Sequence, residues 1–211
     1  MSEPQYSAFT ALKSLIRPRQ TQEHCELCAA GLGLYHQHLI EPNARKLVCV
    51  CDACSILFSS TGQTKYRRVP RRVRFLRDFE MTDGQWESLL IPIGMAFFLK
   101  SSAEEKILAF YPGPAGSTES LLPLECWNDI VQGNPVLNEM QSDVEAFLVN
   151  RIDHARGGSE YYLAPIDKCY ELVGLIRSNW RGLSGGTEVW EKIKRFFDEL
   201  KENAAPERSN A

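Results

Sequence analysis

The 211-residue sequence contains no apolar stretch long enough to cross a lipid bilayer. A membrane-spanning helix needs about 20 consecutive apolar residues, whereas the longest apolar run, near Leu89 to Leu99, is interrupted by Pro92 and Gly94. The sequence also lacks a large charge of either sign, since its formal net charge is -3. No overall electrostatic field therefore attracts the chain to nucleic acid or to anionic lipid. Residues 1–20 lack the apolar run of a secretory signal, so we expect a cytoplasmic protein.

Recognisable catalytic motifs are also missing. The loop from Pro112 to Ser120 is rich in small residues but has no phosphate-binding lysine, so we interpret it as a structural turn. Asp153, His154 and Asp167 offer acid–base groups, yet no serine, cysteine or histidine stands in a nucleophile motif. The sequence contains no feature that requires an enzyme, and a non-catalytic role is the favoured interpretation.

The most informative feature present is a cluster of cysteines: the chain has seven, and five of them lie between residues 25 and 54. They form two Cys-x-x-Cys pairs, Cys25 with Cys28 and Cys51 with Cys54. Two residues between thiolates let one tight turn present both sulfurs to a single ion, and two such turns make a tetrahedral four-sulfur site. The spacing therefore predicts a zinc-ribbon-like module. Zn²⁺ fits such a closed site best, although iron would use the same four sulfurs.

Three further residues in this segment are alternative metal ligands. Cys49 precedes Cys51 by two residues and is able to replace it. His36 and His38 alternate along the chain and would share one face of a strand. They either bind metal or are polar residues of a loop, and the sequence favours the second interpretation.

The chain as a whole predicts an α+β fold in four parts. Residues 1–20 form a lead-in, residues 21–62 the metal module, residues 63–202 an α+β domain, and residues 203–211 a disordered tail. The α+β domain is expected to contain a mostly antiparallel sheet with helices on one face. We expect the module to have its own small core, with stability that comes mainly from the bound ion.

Individual elements are predicted from local patterns. Lys46 to Val50 is a strand candidate that leads into the second cysteine pair. Met81 to Leu90 predicts a short helix capped by Thr82 or Asp83. The apolar positions from Glu188 to Glu202 follow helical periodicity and predict a long final helix.

Two segments of the α+β domain resemble each other. Pro123 to Val131 and Pro165 to Val173 agree in six of nine positions, and each follows two strand-like runs. The acidic residue after each proline is a favourable helix N-cap. The pattern predicts a strand–strand–helix unit that occurs twice, either by duplication or by chance. Cys126 and Cys169, which lie in these helices, are expected to face the core.

A basic strip lies between residues 65 and 77. Its seven members are Lys65, Arg67, Arg68, Arg71, Arg72, Arg74 and Arg77. The strip is interpreted as a dock for an acidic protein, as a solvated strand edge, or as a contact for nucleic-acid phosphates. The net acidity of the chain argues against nucleic acid. Trp180 and Arg181 are a second candidate contact surface, expected to be exposed.

Several segments of the chain resemble those of an uncharacterised bacterial family of about this length, in the same order. They are Cys25 to Cys28, Tyr35 to Leu39, Ile91 to Phe98, Glu119 to Pro123, Leu148 to Arg151 and Leu172 to Gly186. The resemblance covers about residues 20 to 200. Members of the family that the chain resembles tend to be encoded beside nickel-iron uptake hydrogenases. The resemblance therefore implies an accessory protein for hydrogenase assembly, stability or electron delivery, and it supplies no catalytic residues.

The leading hypothesis is a non-catalytic zinc-binding accessory protein that acts through protein–protein contacts. The resemblance makes a hydrogenase subunit or maturation factor the expected partner. A rubredoxin-like iron electron carrier and a zinc-ribbon nucleic-acid-binding protein are the alternatives.

Overall fold

The computed structural model describes residues 22–59, 65–120, 127–153, 158–182 and 184–205. Within these residues, nine strands form two antiparallel sheets. The small sheet has the order β2-β1-β3 and consists of β1 (Gln37–Glu41), β2 (Lys46–Val50) and β3 (Arg67–Arg68). The large sheet has the order β4-β9-β8-β5-β6-β7. Its strands are β4 (Arg74–Phe75), β5 (Met95–Ser101), β6 (Lys106–Gly113), β7 (Gly116–Glu119), β8 (Glu145–Asp153) and β9 (Gly158–Pro165).

Five α-helices and one short 3-10 helix accompany the sheets in the described residues. They are α1 (Asp52–Leu57), α2 (Asp83–Ser88), α3 (Trp127–Gly133), the 3-10 helix (Pro135–Glu139), α4 (Ile166–Asn179) and α5 (Thr187–Glu202). The predictions of a strand at Lys46 to Val50 and of a long final helix are confirmed. Thr82, one of the two residues predicted to cap this helix, is the N-cap of α2 and forms a reciprocal capping box with Gln85.

Two cores lie on the two faces of the large sheet, because successive side chains in a strand point to opposite sides. In β8, Ala146 and Leu148 pack with the two long helices, α4 and α5. Phe147 and Val149 point the other way, into a core that contains Trp127 and the shorter helical segments. The predicted α+β class with an antiparallel sheet is confirmed. The long helices lie on one face as predicted, and short helices additionally cover the other face.

The strand–strand–helix order occurs twice, as β5-β6 followed by α3 and as β8-β9 followed by α4, with β7 added to the first unit. The two helices lie on opposite faces of the sheet, since Ile130 of α3 and Leu172 of α4 belong to different cores. The repeated sequence pattern is therefore not matched by repeated packing. Cys169 is fully buried, as expected. Cys126 lies outside the described residues.

The small sheet also has two apolar faces. Leu39 and Val48 are opposite each other on one face and pack in a small core with Cys25 and Cys54, so the expected module core is present. Ile40, on the other face, is 1% exposed and packs in the core beneath α4 and α5. The module is thus attached to the domain through the second face of β1. The proposed boundary at residues 62 and 63 stays a prediction, and β3, which follows it, pairs with β1.

The fold also tests the expectations for the small-residue loop, for Trp180 and for membrane-spanning helices. The loop between Gly113 and Gly116 is the turn of the β6-β7 hairpin, as interpreted from its small residues. Trp180 is half-buried against the core rather than exposed, because it packs on Trp190 and on α4 and α5. No helix in the described ranges combines the length and apolar character needed to cross a membrane. The lead-in, His154 and most of the tail lie outside the described residues.

Candidate metal centre

The four predicted cysteines converge at one end of the small sheet. The sulfur atoms of Cys25, Cys28, Cys51 and Cys54 all lie within 4.8 Å of one another. The sulfurs of Cys28 and Cys51 are 3.7 Å apart, too far for a disulfide bond. Four sulfurs at about 2.3 Å from a tetrahedral zinc ion would be separated by about 3.8 Å. The arrangement can therefore hold a metal ion.

The first cysteine pair lies in a tight turn. The amide of Ala29 donates to the Cys25 carbonyl at 2.8 Å, and the amide of Cys25 donates to the Ala30 carbonyl at 2.7 Å. Ala29 follows Cys28 with a φ of 61°, in the left-handed region that normally favours glycine. This turn buries Cys25 and leaves Cys28 exposed. One ligand of the site therefore lies at the protein surface.

The second pair lies at the start of helix α1. Cys51 is the N-cap residue, and its sulfur accepts a hydrogen bond from the Cys54 amide at 3.5 Å. Amides at a helix N-terminus favour negative charge, which suits a thiolate. Cys54 is buried in the module core. A short helix thus holds one buried and one partly exposed sulfur.

The two buried thiols, Cys25 and Cys54, have pKa values shifted in opposite directions. Burial disfavours the Cys25 thiolate, but backbone amides of Cys51 and Leu27 outweigh it and lower the pKa of Cys25 to about 6. Burial, together with the neighbouring thiols of Cys28 and Cys51, raises the pKa of Cys54. Crowded sulfurs cannot all ionise without a cation. A divalent ion would replace the protons and make all four groups thiolates.

Glu26 connects the two halves of the site, a role that sequence reasoning missed. Its amide donates to the Cys49 carbonyl at 2.9 Å, and its carboxylate accepts from the Cys49 amide at 2.8 Å. The Cys49 amide and the nearby Lys46 ammonium lower the pKa of Glu26. The first cysteine turn is therefore fixed against β2, whose end leads to Cys51. An acidic residue between two cysteine ligands was the only available sequence signal.

The three alternative ligands, His36, His38 and Cys49, form a group of their own, separate from the four-cysteine site. One ligand atom from each of His36, His38 and Cys49 lies within 4.8 Å of the others. Burial, with Glu23 and Glu26 nearby, raises the pKa of the Cys49 thiol. The metal-binding role of these residues, like that of the four cysteines, stays a prediction.

The basic strip is divided between the two sheets, because Arg67 and Arg68 belong to β3 and Arg74 belongs to β4. Three members form ion pairs: Lys65 with Glu41, Arg67 with Asp143, and Arg74 with Glu139. Arg71, Arg72 and Arg77 are exposed. The strip is thus not one continuous cationic surface, since part of its charge joins pieces of the fold.

The comparisons with known proteins identify a family but no activity. The family model described as a family of unknown function (DUF5947) matches residues 24–204. The match includes both groups of candidate metal ligands and the large sheet. No curated protein and no solved structure matches the chain.

Proposed function

We propose that this chain, which belongs to the family of unknown function DUF5947, is a zinc-binding accessory protein with a structural four-cysteine site. The observation that supports it is the convergence of four sulfurs within 4.8 Å. Four protein ligands complete a tetrahedral shell and leave no position for a substrate, which is the pattern of structural zinc sites. The small module core consists of few apolar residues, so the ion would supply much of the stability of the module.

The accessory role is supported by exposed apolar side chains on the metal module. Leu34 is 95% exposed, Tyr35 is 93% exposed, and Ile56 in α1 is 60% exposed. Large exposed apolar side chains on a small module suit contact with another protein. A nickel-iron hydrogenase subunit or maturation factor in the cytoplasm is the proposed partner. This part of the proposal depends on the family resemblance stated from the sequence.

Metal analysis of the untagged, reduced protein tests the structural site. We expect one zinc ion per chain that resists mild chelation, and its loss in Cys28→Ser. Cys169→Ala is the matched control, because Cys169 lies in the large core, away from the module. Freshly purified protein without a stoichiometric metal would contradict the proposal.

Removing the metal should affect the module more than the large sheet. With a strong chelator, amide hydrogen exchange should accelerate from Cys25 to Leu57. The central strands β5 and β8 should remain protected because their two faces are packed by separate, larger cores. Equal loss of protection throughout the chain would instead show that the module and the domain unfold as one unit.

Association with a partner requires its own test. Pull-down from the native host should recover a hydrogenase component with the parent protein and less of it with Leu34→Ser/Tyr35→Ser. Glu87→Gln, at an exposed position in α2, is a control that should not change recovery. Recovery of no hydrogenase component with the parent would remove the hydrogenase part and leave the structural site untouched.

A rubredoxin-like iron carrier is the second candidate, and the exposure of Cys28 is the observation that favours it. A ligand sulfur at the surface shortens the path for electrons between the metal and a partner. Iron bound by four thiolates gives a red protein with strong visible absorption, whereas the zinc form is colourless. An absorption spectrum of the protein from its native host distinguishes the two.

A further inference from the structure

Two histidines and one cysteine lie together on the face of the small sheet opposite to Leu39 and Val48. His38 in β1 is directly opposite Cys49 in β2, and His36 precedes it by two residues on the same side. Directly opposed residues of an antiparallel pair are close neighbours. The rings of His36 and His38 are 4.8 Å apart between centroids. The backbone register therefore brings three potential metal ligands together.

Hydrogen bonds determine which histidine nitrogens are available. Nδ1 of His36 is 3.0 Å from the Gly33 carbonyl oxygen, which can only accept. Nδ1 of His38 is 2.8 Å from a carboxylate oxygen of Asp167 in α4. Both Nδ1 atoms must carry the proton in these bonds, so both Nε2 atoms have a free lone pair. An acceptor on the remote nitrogen is the usual outer support of a metal-bound histidine.

Two buried polar atoms at this place have no hydrogen-bond partner within the described residues. They are Nε2 of His36 and Oδ1 of Asp167, and only one other buried side-chain atom in the described ranges shares this property. A buried acceptor without a partner costs about 1–3 kcal/mol. A metal ion bound to Nε2 of His36 would give this buried acceptor a partner.

We propose that Nε2 of His36, Nε2 of His38 and Sγ of Cys49 form a second metal site, which binds Zn²⁺ with one open coordination position. Two imidazoles and one thiolate are ligands that zinc accepts, and three protein ligands leave the fourth position for water or a small anion. One ligand atom from each of the three residues lies within 4.8 Å of the others. Contraction of the longest separation by about 1 Å brings it to the edge length of a zinc tetrahedron with nitrogen and sulfur ligands, about 3.3 to 3.6 Å.

The open position faces a groove of about 760 Å³ between the module and helix α4. Both histidines line this groove, together with Arg71 and Lys168. The carboxylates of Asp167 and Glu171 line it as well, and Lys168 pairs with Glu171 at 2.7 Å, so the charges balance and water is the expected fourth ligand. The second site therefore differs from the four-cysteine site in chemistry, because its ligand is exchangeable.

Reconstitution of the untagged protein with excess zinc, followed by dialysis and elemental analysis, tests the second site. We expect two zinc ions per parent chain and one in His36→Gln, His38→Gln or Cys49→Ser. His24→Gln should keep two, because His24 is exposed and outside the group. Asp167→Asn should weaken the second zinc by about 10–100-fold, as loss of an outer carboxylate does. The zinc that remains in the three ligand variants should be bound by sulfur alone and should resist mild chelation, so the two sites are distinguishable.

X-ray absorption at the zinc edge of the fully loaded parent gives a second readout that needs no variant. We expect nitrogen ligands at about 2.0 Å in addition to sulfur at about 2.3 Å. One zinc per parent chain with only sulfur ligands would overturn the second site. Two zinc ions that persist in all three ligand variants would overturn it as well. If the variants fail to fold, the presence or absence of nitrogen ligands in the parent decides.

Discussion

Arg67 in β3 and Asp143, at the start of the chain segment leading into β8, form an ion pair of 2.9 Å that joins the small sheet to the large-sheet domain. The Asp143 side chain is 4% exposed and also accepts hydrogen bonds from the amide and hydroxyl of Ser102, at 2.8 and 2.6 Å. Asp143 has a φ of 69°, which aspartate and asparagine tolerate better than most residues. One buried carboxylate thus connects three segments that are distant in sequence.

We predict that Asp143→Ala lowers the free energy of unfolding by about 2–3 kcal/mol, because it removes two hydrogen bonds from Ser102 and the ion pair with Arg67. Asp143→Asn keeps an acceptor and tolerates the positive φ, so it should cost about half as much. Thermal or denaturant unfolding measures both. Equal losses in the two variants would show that charge, rather than hydrogen bonding, dominates at this position.

Replacing one alanine at each cysteine pair by glycine should change the stability of the protein in opposite directions. Ala29→Gly should raise stability by about 0.5–1 kcal/mol and slow metal release, since it relieves the left-handed conformation after Cys28. Ala53→Gly, between the second pair and inside α1, should lower stability by up to about 1 kcal/mol. Unfolding in the presence of zinc and release to a chromophoric chelator measure both effects. Destabilisation by both changes would contradict the role of the positive φ.

The sequence permitted prediction of features that depend on local patterns. The spacing of the cysteine pairs predicted which sulfurs converge, because short turns determine their geometry. The capping residue Thr82 and the apolar stripe of α5 predicted their helices for the same reason. The class of the fold followed from alternating strand-like runs separated by turns.

Features that depend on contacts between distant segments were not predictable from one sequence. Asp167 contacts His38 across 129 positions in the chain, and no local pattern connects them. The group of His36, His38 and Cys49 needs the β1-β2 register, which places Cys49 opposite His38. The second face of β1 buries Ile40 in the large core, so the module is less separate than the cysteine spacing alone indicated.

Two glycines should respond in opposite ways to alanine. A Cβ atom at Gly94 would lie 3.1 Å from backbone atoms of Arg151 and Ile152, which cannot rotate away as side chains do. Gly94→Ala should therefore cost about 1–3 kcal/mol. Gly84 in α2 has nothing within 4 Å of the added atom, so Gly84→Ala should add about 0.5–1 kcal/mol through helix propensity. Chemical denaturation of both variants tests this pair, and a neutral Gly94→Ala would mean that the strands separate readily.

Part of the basic strip is exposed and part of it is held in ion pairs. Arg72 and Arg77 are exposed and form no ion pair within the described residues, whereas Arg67 and Arg74 are paired with Asp143 and Glu139. We predict that Arg72→Glu/Arg77→Glu weakens partner association with little loss of thermal stability, because surface charges contribute about 0–1 kcal/mol to folding. Arg67→Glu/Arg74→Glu, the matched control with the same charge change, should lower thermal stability.

Reversal of charge distinguishes the three interpretations of this strip. In a complementary protein interface, arginines speed encounter and fix orientation, so glutamates at the same positions repel the partner. A nucleic-acid contact would instead show an affinity that falls steeply with salt in the parent and is lost in the variant. A solvated strand edge predicts no change in either assay. Pull-down from native host extract and a DNA-binding titration at two salt concentrations, made on parent and variants together, measure all three outcomes. Recovery of the partner at parental yield with Arg72→Glu/Arg77→Glu would exclude docking through these arginines. The two substitutions change the net charge by four units, which must weaken binding to a complementary acidic surface.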